Sequence, residues 1–327
     1  MEFRSVTKWV KNTAITLVAL FAAGWLAFVP SAKEPPYKFV SAWGAKGSAP
    51  GQFNDPTGIA IGGSDVFVSD SRNGRIQVFD LDGHFKRQFG TPGDGSGQLG
   101  RPMNLTIHGS ELYVAEYFND RIQVFGLDGS PKRVIGKSGR GPGEFNAPGG
   151  VAVASNGDLF VPDFYNHRVQ QLKPNGEFVR QWGVTGEKGH TTGAFIYPTD
   201  VALDRNGALY VADGYANRIQ VFDTAGKPIN KWGGPFAVGI PGSFNGWFRV
   251  VTGIAVGTQG DIFAADFYNH RVQKFRGDGT FLTSFGGKGS GPGQFDHVIA
   301  IAVAGDGTIF VVDFANNRIE KWTSRNS

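Results

Sequence analysis

The sequence contains no cysteine and only two methionines in 327 residues. The first absence excludes disulfides, thiolate metal sites, a cysteine nucleophile and a lipidated N-terminal cysteine together, so stability has to come from packing. Alanine, leucine and glutamate do not dominate as they do in helical proteins. Excess charge is scarce too. The formal net charge is +4, and the first 32 residues supply +2 of it through Arg4, Lys8 and Lys11 against Glu2, which leaves +2 on the rest. A balance so small does not indicate a nucleic-acid surface. The six histidines form no HxH or HExxH spacing, with His84, His108, His190 and His297 scattered among turns and connections.

Glycine, by contrast, is abundant at 49 residues, about twice the usual share, and aromatics make up 13%. This composition reads as many short strands joined by tight turns. One long apolar run stands apart, Ala14 to Val29 ("AITLVALFAAGWLAFV"), behind a basic end and ahead of the polar "PSAKEPP". Residues 1–32 therefore read as a signal peptide or signal anchor, and 33–36 as a linker. The run is somewhat shorter than the roughly 20 residues a membrane helix takes. The basic end is expected in the cytoplasm and the rest outside it, anchored in the membrane, or secreted or periplasmic if the segment is cleaved after Ser31.

From residue 37 to 327 the chain repeats itself. "NGRIQVFDLDGHFKRQFG" recurs as "NDRIQVFGLDGSPKRVIG", "NHRVQQLKPNGEFVRQWG", "NRIQVFDTAGKPINKWG" and "NHRVQKFRGDGTFLTSFG", and in part as "NNRIEKWTS". The repeats span about residues 54–90, 101–136, 147–183, 197–233, 250–286 and 297–324. Within a unit such as "DVALD", "ALYVAD", "RIQVFD", "KPINKWG", apolar and β-branched runs alternate with Gly, Asn or Asp where the chain must reverse. Four antiparallel strands per unit, six times over, predict an all-β, six-bladed propeller. The last unit stops without a fourth strand, while "YKFVSAWG" at 37–44 is a fourth strand with no blade ahead of it. Their pairing would complete the sixth blade and remove the exposed edges.

At "GQFNDPTGIAI", "VFVSDSRNGRIQVFD" and "NHRVQ" the chain resembles the NHL-repeat family of six-bladed β-propellers. The resemblance implies the fold. For function it implies only a range, because this scaffold carries protein-binding, RNA-binding, sensor and enzymatic members.

Residues repeated in every blade read as scaffold. Asp70, Glu116, Asp163, Asp213, Asp266 and Asp313 each precede an arginine by five residues (Arg75, Arg121, Arg168, Arg218, Arg271, Arg318), so carboxylate and guanidinium flank one short loop as a brace. Phe53, Leu99, Phe145, Phe195, Phe244 and Phe295 are expected to plug the gaps between blades. His167 and His270 fall in the repeated loop where other blades have Gly74, Asp120, Asn217 and Asn317, and read as structural.

The binding candidates are Tyr117, Phe118, Tyr165, Tyr215 and Tyr268 in the loops between second and third strands, together with Trp247 and Phe248 of the long connection Gly233 to Val251. Aromatic side chains offer large contact area at low entropic cost, which suits a protein, peptide or glycan partner. The loop phenylalanines are expected to pack between blades, and the long connection is either a lid or a self-packed excursion. At the channel mouth Asp200 is the lone acid, a single candidate ligand for calcium, and no other cofactor is expected.

Blade four, "YPTDVALDRNGALYVADGYANRIQVF", is similar to the matching stretch of peptidyl-α-hydroxyglycine α-amidating lyase, a zinc enzyme of this propeller class. That likeness implies a catalytic tyrosine at Tyr215 and an arginine near Arg72. The lyase's zinc histidines fall where this chain has Thr57, Met103, Gly149, Thr199, Thr252 and Ile299. Without an imidazole there, zinc and lyase chemistry are not expected. The sequence thus favours a non-catalytic binding scaffold over a lyase-like enzyme or an RNA-binding propeller.

Overall fold

The computed structural model describes residues 10–16 and 29–324, which form six four-stranded antiparallel sheets. Blade one, for example, runs Pro56–Gly62, Asp65–Asp70, Arg75–Asp80 and Phe85–Phe89, with each strand hydrogen-bonded to the next. Blade six is built from Val298–Val303, Ile309–Asp313 and Arg318–Thr323, and its fourth member is the N-terminal strand Lys38–Trp43. Phe39 lies opposite Trp322 and Trp43 opposite Ile319. Trp43 also packs against Phe79 of blade one and Phe310 of blade six, so this strand touches both ends of the repeat array.

The apolar core lies between blades. Each of its six clusters joins the inner residues of two neighbouring blades around one large side chain from the connection, as Leu99 does between Val78 of blade one and Val114 of blade two. The corresponding side chains are Phe53, Phe145, Phe195, Phe248 and Phe295. Phe248 is therefore a plug, 0% exposed, and not a binding residue, and Phe244, expected in that role, is exposed instead. The stretch from Gly233 to the plug is six residues longer than that from Gly90 to Leu99, and the plug falls four residues past Phe244. A plug buried to this extent contributes about 3–5 kcal/mol relative to alanine.

The acid–arginine brace is present in all six blades, with Nε to carboxylate distances of 2.7–2.9 Å. Each acid also accepts a backbone N–H from the residue after its plug, as Asp70 does from Asn54 at 2.7 Å and Asp266 from Arg249 at 2.8 Å. The arginine meanwhile donates to carbonyls of the same connection, as Arg75 does to Ala49 and Gln52. In five blades a glutamine two residues after the arginine adds two more bonds. Gln77, for instance, donates to Asp70 and to the Gln52 carbonyl, and Gln273 donates to Asp266 and to the Trp247 carbonyl. Trp247 thus holds the place of Gln52 in its blade, which independently sets the register of Phe248.

At the N-terminus, residues 10–16 are helical, and among the described residues no helix is long and apolar enough to cross a membrane. Of the apolar run from Ala14 to Val29 only residues 14–16 and 29 are described, so the expectation of an apolar N-terminal helix falls mostly outside the described residues. The segment leading into blade six crosses the outer strand of blade five. There Lys33 and Glu34 donate their N–H groups to the Leu282 carbonyl, and Glu34 pairs with Lys274 at 2.7 Å.

Blade six carries Glu320 where the other blades have the brace glutamine. Burial pushes Glu320 up to about 8, although Arg318 lies 2.7 Å away and pulls the other way. Because the folded-state value exceeds that of the free side chain, Glu320 costs stability progressively as pH rises from the ordinary carboxylate range towards 8. Glu320→Gln should restore both amide bonds. A thermal-melt pH series should show little difference between the two proteins near pH 5 and a gain of a few degrees for the variant at pH 9, equivalent to about 1–3 kcal/mol.

Candidate functional site at the propeller mouth

The loops between second and third strands emerge around the axis on one face, where they enclose a cavity of about 230 Å³. Its floor is one residue from the start of each first strand: Thr57, Met103, Gly149, Thr199, Thr252 and Ile299. The three threonines give their hydroxyls to backbone carbonyls of the next blade, as Thr57 does to Pro102 at 2.7 Å. The floor therefore presents methyl groups and chain, with no imidazole or carboxylate.

The wall is aromatic. Tyr117, Tyr215 and Tyr268 line it as expected, but so do Phe164, Phe267 and Phe314, which the sequence reading placed between blades. These rings do pack between blades while they line the mouth: Phe164 of blade three lies 6.3 Å from Tyr117 of blade two and 6.1 Å from Tyr215 of blade four, and Phe267 of blade five lies 6.2 Å from Phe314 of blade six. Tyr165 stands beside the cavity, half-exposed, and its hydroxyl accepts a hydrogen bond from Tyr117 at 2.7 Å. Phe118 is the most exposed of the candidates at 64% and sits over the next seam rather than in the mouth. Trp247 is buried, clamped between Gly234 and Gly242 as the anchor of a connection that folds on itself; Phe236, Val238, Ile240 and Phe244 are its exposed large apolar residues.

Sequence reasoning missed Tyr197, the hub of the cluster. Its ring is 4.8 Å from Phe164, 5.3 Å from Tyr215 and 4.4 Å from His167, and Lys188 Nζ lies 4.4 Å over it. Tyr197 occupies a position two residues after the plug, which has positive φ in every blade: Asp55, Arg101, Ala147, Tyr197, Val250 and His297. No turn composition marks that position, so no local signal pointed to it.

The backbone N–H of that residue is also the attachment point of a clasp across each seam but one. Asn317 Oδ1 accepts from Asp55, Asp120 from Ala147, His167 Nδ1 from Tyr197, Asn217 from Val250 and His270 Nδ1 from His297, at 2.6–3.1 Å. His, Asp and Asn are interchangeable here because each offers an acceptor atom. Burial holds His167 and His270 below the usual imidazole range, which keeps that acceptor free of a proton. His297, which looks isolated in the sequence, is brought beside His270 and Asp296, and their ligand atoms lie within 4.8 Å of one another. The Nδ1 of His270 is already taken by the His297 N–H, which leaves its Nε2 as the ring nitrogen open to a metal.

Beneath the floor, Asp200 is fully buried and forms a polar bar across the channel. Its Oδ2 accepts from Asn104 Nδ2 of blade two at 2.8 Å and from the Ile254 N–H of blade five at 3.0 Å, while Oδ1 has no partner. Burial drives Asp200 up to about 7, against the pull of those donors. For calcium the site offers that one free carboxylate oxygen, whereas the ion takes six to eight. Tyr215 and Arg72 line different cavities. Tyr215 lines the mouth, and its hydroxyl is pushed above the usual tyrosine range by burial and by neighbouring tyrosines. Arg72 is paired with Asp55 at the adjoining seam.

The fold defines the class, a six-bladed β-propeller with an axial cavity on its loop face. Four of the blades match the NHL repeat, over residues 53–79, 145–172, 195–222 and 248–275. One relative is the protein brain tumor of Drosophila melanogaster, 46% identical over 48 residues, or 14% of this chain and 5% of that protein. The chain therefore matches only a small part of that relative's length. Among solved structures, virginiamycin B lyase from Staphylococcus aureus superposes with a TM-score of 0.58 at 20% identity, over 89% of this chain and 87% of that one. The WD40 β-propeller domain of Doa1 gives 0.60 at 12%, over 88% and 96%. At such identities the likeness is one of fold.

The buried carboxyl gives a test of the channel. Since Asp200 holds its proton to about pH 7 when folded, its ionisation lowers stability between about pH 4 and pH 7. Asp200→Asn keeps the bar without the charge. Its melting temperature relative to the wild type should rise across that interval and level off above it; a flat difference would show that Asp200 is ionised throughout.

Proposed function

We propose that this propeller is a non-catalytic recognition module that binds a protein, peptide or glycan through the aromatic mouth of its loop face. The observation that carries this is the cavity on the axis, walled by tyrosine and phenylalanine and floored by groups that offer no general acid, base or metal ligand. NHL propellers as a type are scaffolds for protein interactions, and the repeat match supports that broad reading. The disc is closed by its own N-terminal strand, and residues 1–32 export it and tether it to the membrane. The pairing of Lys38–Trp43 with blade six supports the first of these statements, and the apolar run supports the second.

Tyrosines suit such a mouth because the rings supply apolar contact while the hydroxyls remain available at the rim. Tyr165 and Tyr268 are half-exposed, and neither serves as a plug or brace. Removing both should weaken partner capture at least tenfold while the melting temperature stays within a few degrees of the wild type. The measurement is a pull-down from the native envelope fraction, followed by titration of the captured partner; undiminished capture by the double variant would place binding elsewhere. Zinc in stoichiometric amount in the purified protein would favour the lyase-like reading instead.

Closure is tested by deletion. Without residues 37–44 the third strand of blade six loses its neighbour, and the aromatic contacts of Trp43 and Phe39 disappear. The deleted protein should melt well below the wild type and gain a tendency to associate through the freed edge. Equal melting temperatures would mean that the pairing contributes nothing to closure.

A further inference from the structure

Blade one departs from the other five at its seam with blade two. Where they carry an acceptor side chain for the clasp, it has Gly74 with φ 59°, and a Cβ there would lie 2.8 Å from Pro92 Cα. No side chain fits and no clasp forms. The seam instead opens into a cavity of about 720 Å³, continuous with the loop face and bordered by Arg72, Asp94, Arg101, Phe118 and Ser71.

Two side chains that border this cavity each keep a buried polar atom without a partner. Arg101 Nε is buried without an acceptor, and Ser71 Oγ is buried without a partner. Arg101 takes part in none of the ion pairs among the described residues; its guanidinium lies 5.5 Å from the Tyr117 ring centre and 5.3 Å from that of Phe118. Burying a charged donor unsatisfied costs a protein more than about 1–3 kcal/mol, a cost that an anionic ligand would remove. Arg101 also borders the aromatic mouth, so one side chain is shared by both cavities.

We infer that the seam between blades one and two is a carboxylate subsite, and that the ligand is a peptide segment carrying an acidic side chain next to an apolar one that rests in the mouth. This inference rests on the reading of the mouth as the binding surface. The guanidinium edge and the serine hydroxyl together offer the donors that one carboxylate accepts, and arginine does this with a planar fork. Arg72 adds positive charge at the rim, partly offset by Asp55. Asp94 on the same wall disfavours a dianion, which selects a carboxylate over a phosphate.

The test uses the full-length protein and two probes, N-acetyl-Phe-Glu-amide and N-acetyl-Phe-Gln-amide, titrated by calorimetry or saturation-transfer NMR at low salt. The acidic peptide should bind about tenfold tighter, a preference of about 1.4 kcal/mol. In Arg101→Gln the ratio should collapse to within about twofold, and in Arg101→Lys, which keeps the charge without the fork, it should be intermediate. Thermal melts should show Arg101→Gln at least as stable as the wild type, because a buried N–H without an acceptor has been removed. Equal affinity of the two peptides for the wild type, a preference that survives in Arg101→Gln, or displacement by inorganic phosphate at lower concentration than by acetate would each overturn the carboxylate subsite. If the wild type binds its envelope partner but neither peptide, the subsite fails while the mouth reading stands. Loss of the Glu preference in Tyr165→Ala/Tyr268→Ala would instead place the carboxylate in the mouth itself.

Discussion

The buried carboxylate at the end of each second strand is the interaction on which the rest of the molecule depends. It holds three pieces of chain at once: its own strand, the arginine that begins the third strand, and a backbone N–H of the incoming connection. Moving such a pair out of water carries a large desolvation penalty, so it stabilises only when every lone pair and proton is met. The glutamine two residues after the arginine completes that set in five blades, and Asn73, Asn166, Asn269 and their equivalents add a further donor. Because the brace fixes the connection, it also fixes the plug one residue before the bonded N–H. The apolar core between blades is thereby positioned by a polar device.

The same geometry makes the loop face available for recognition. Once plug and brace are set, the residue two positions after the plug is forced into a left-handed conformation, and the side chains around it point to the axis or to the seam. Tyr197 and Arg101 hold equivalent positions in different blades, the first at the centre of the aromatic cluster and the second between two cavities. Six equivalent frames thus carry six different side chains. The asymmetry of the site comes from residues that the repeat leaves free, and blade one, with Gly74 and Ser71 in place of clasp and aromatic, is its polar sector.

Much of the fold was legible because the brace is written in sequence at constant spacing. The six acid–arginine pairs and five of the six plugs are where the repeat predicts them, and His167 and His270 are the structural residues they were read as. Phe244 and Phe248 exchanged roles because the long connection breaks the spacing, and the register shows in the bonds from Gln273 to the Trp247 carbonyl and from the Arg249 N–H to Asp266. The candidate site was half legible. Tyr117, Tyr165, Tyr215 and Tyr268 could be found from loop composition, and Phe164, Phe267 and Phe314, read as rings packed between blades, do touch the neighbouring blade but also line the mouth, while Tyr197 carried no local mark at all.

The sequence by itself determined the repeat, the strand pattern and the brace, since each depends on residues within a few positions of one another, where spacing is geometry. Tertiary structure alone decided what meets across a seam. The pairing of His270 with His297, the bar from Asn104 to Asp200 across 96 residues, and the unclasped gap at Gly74 all join blades whose relative placement no single repeat encodes. Those contacts arise from closing the ring, and it is at the closed ring's axis and its one open seam that the chain offers a ligand something to hold.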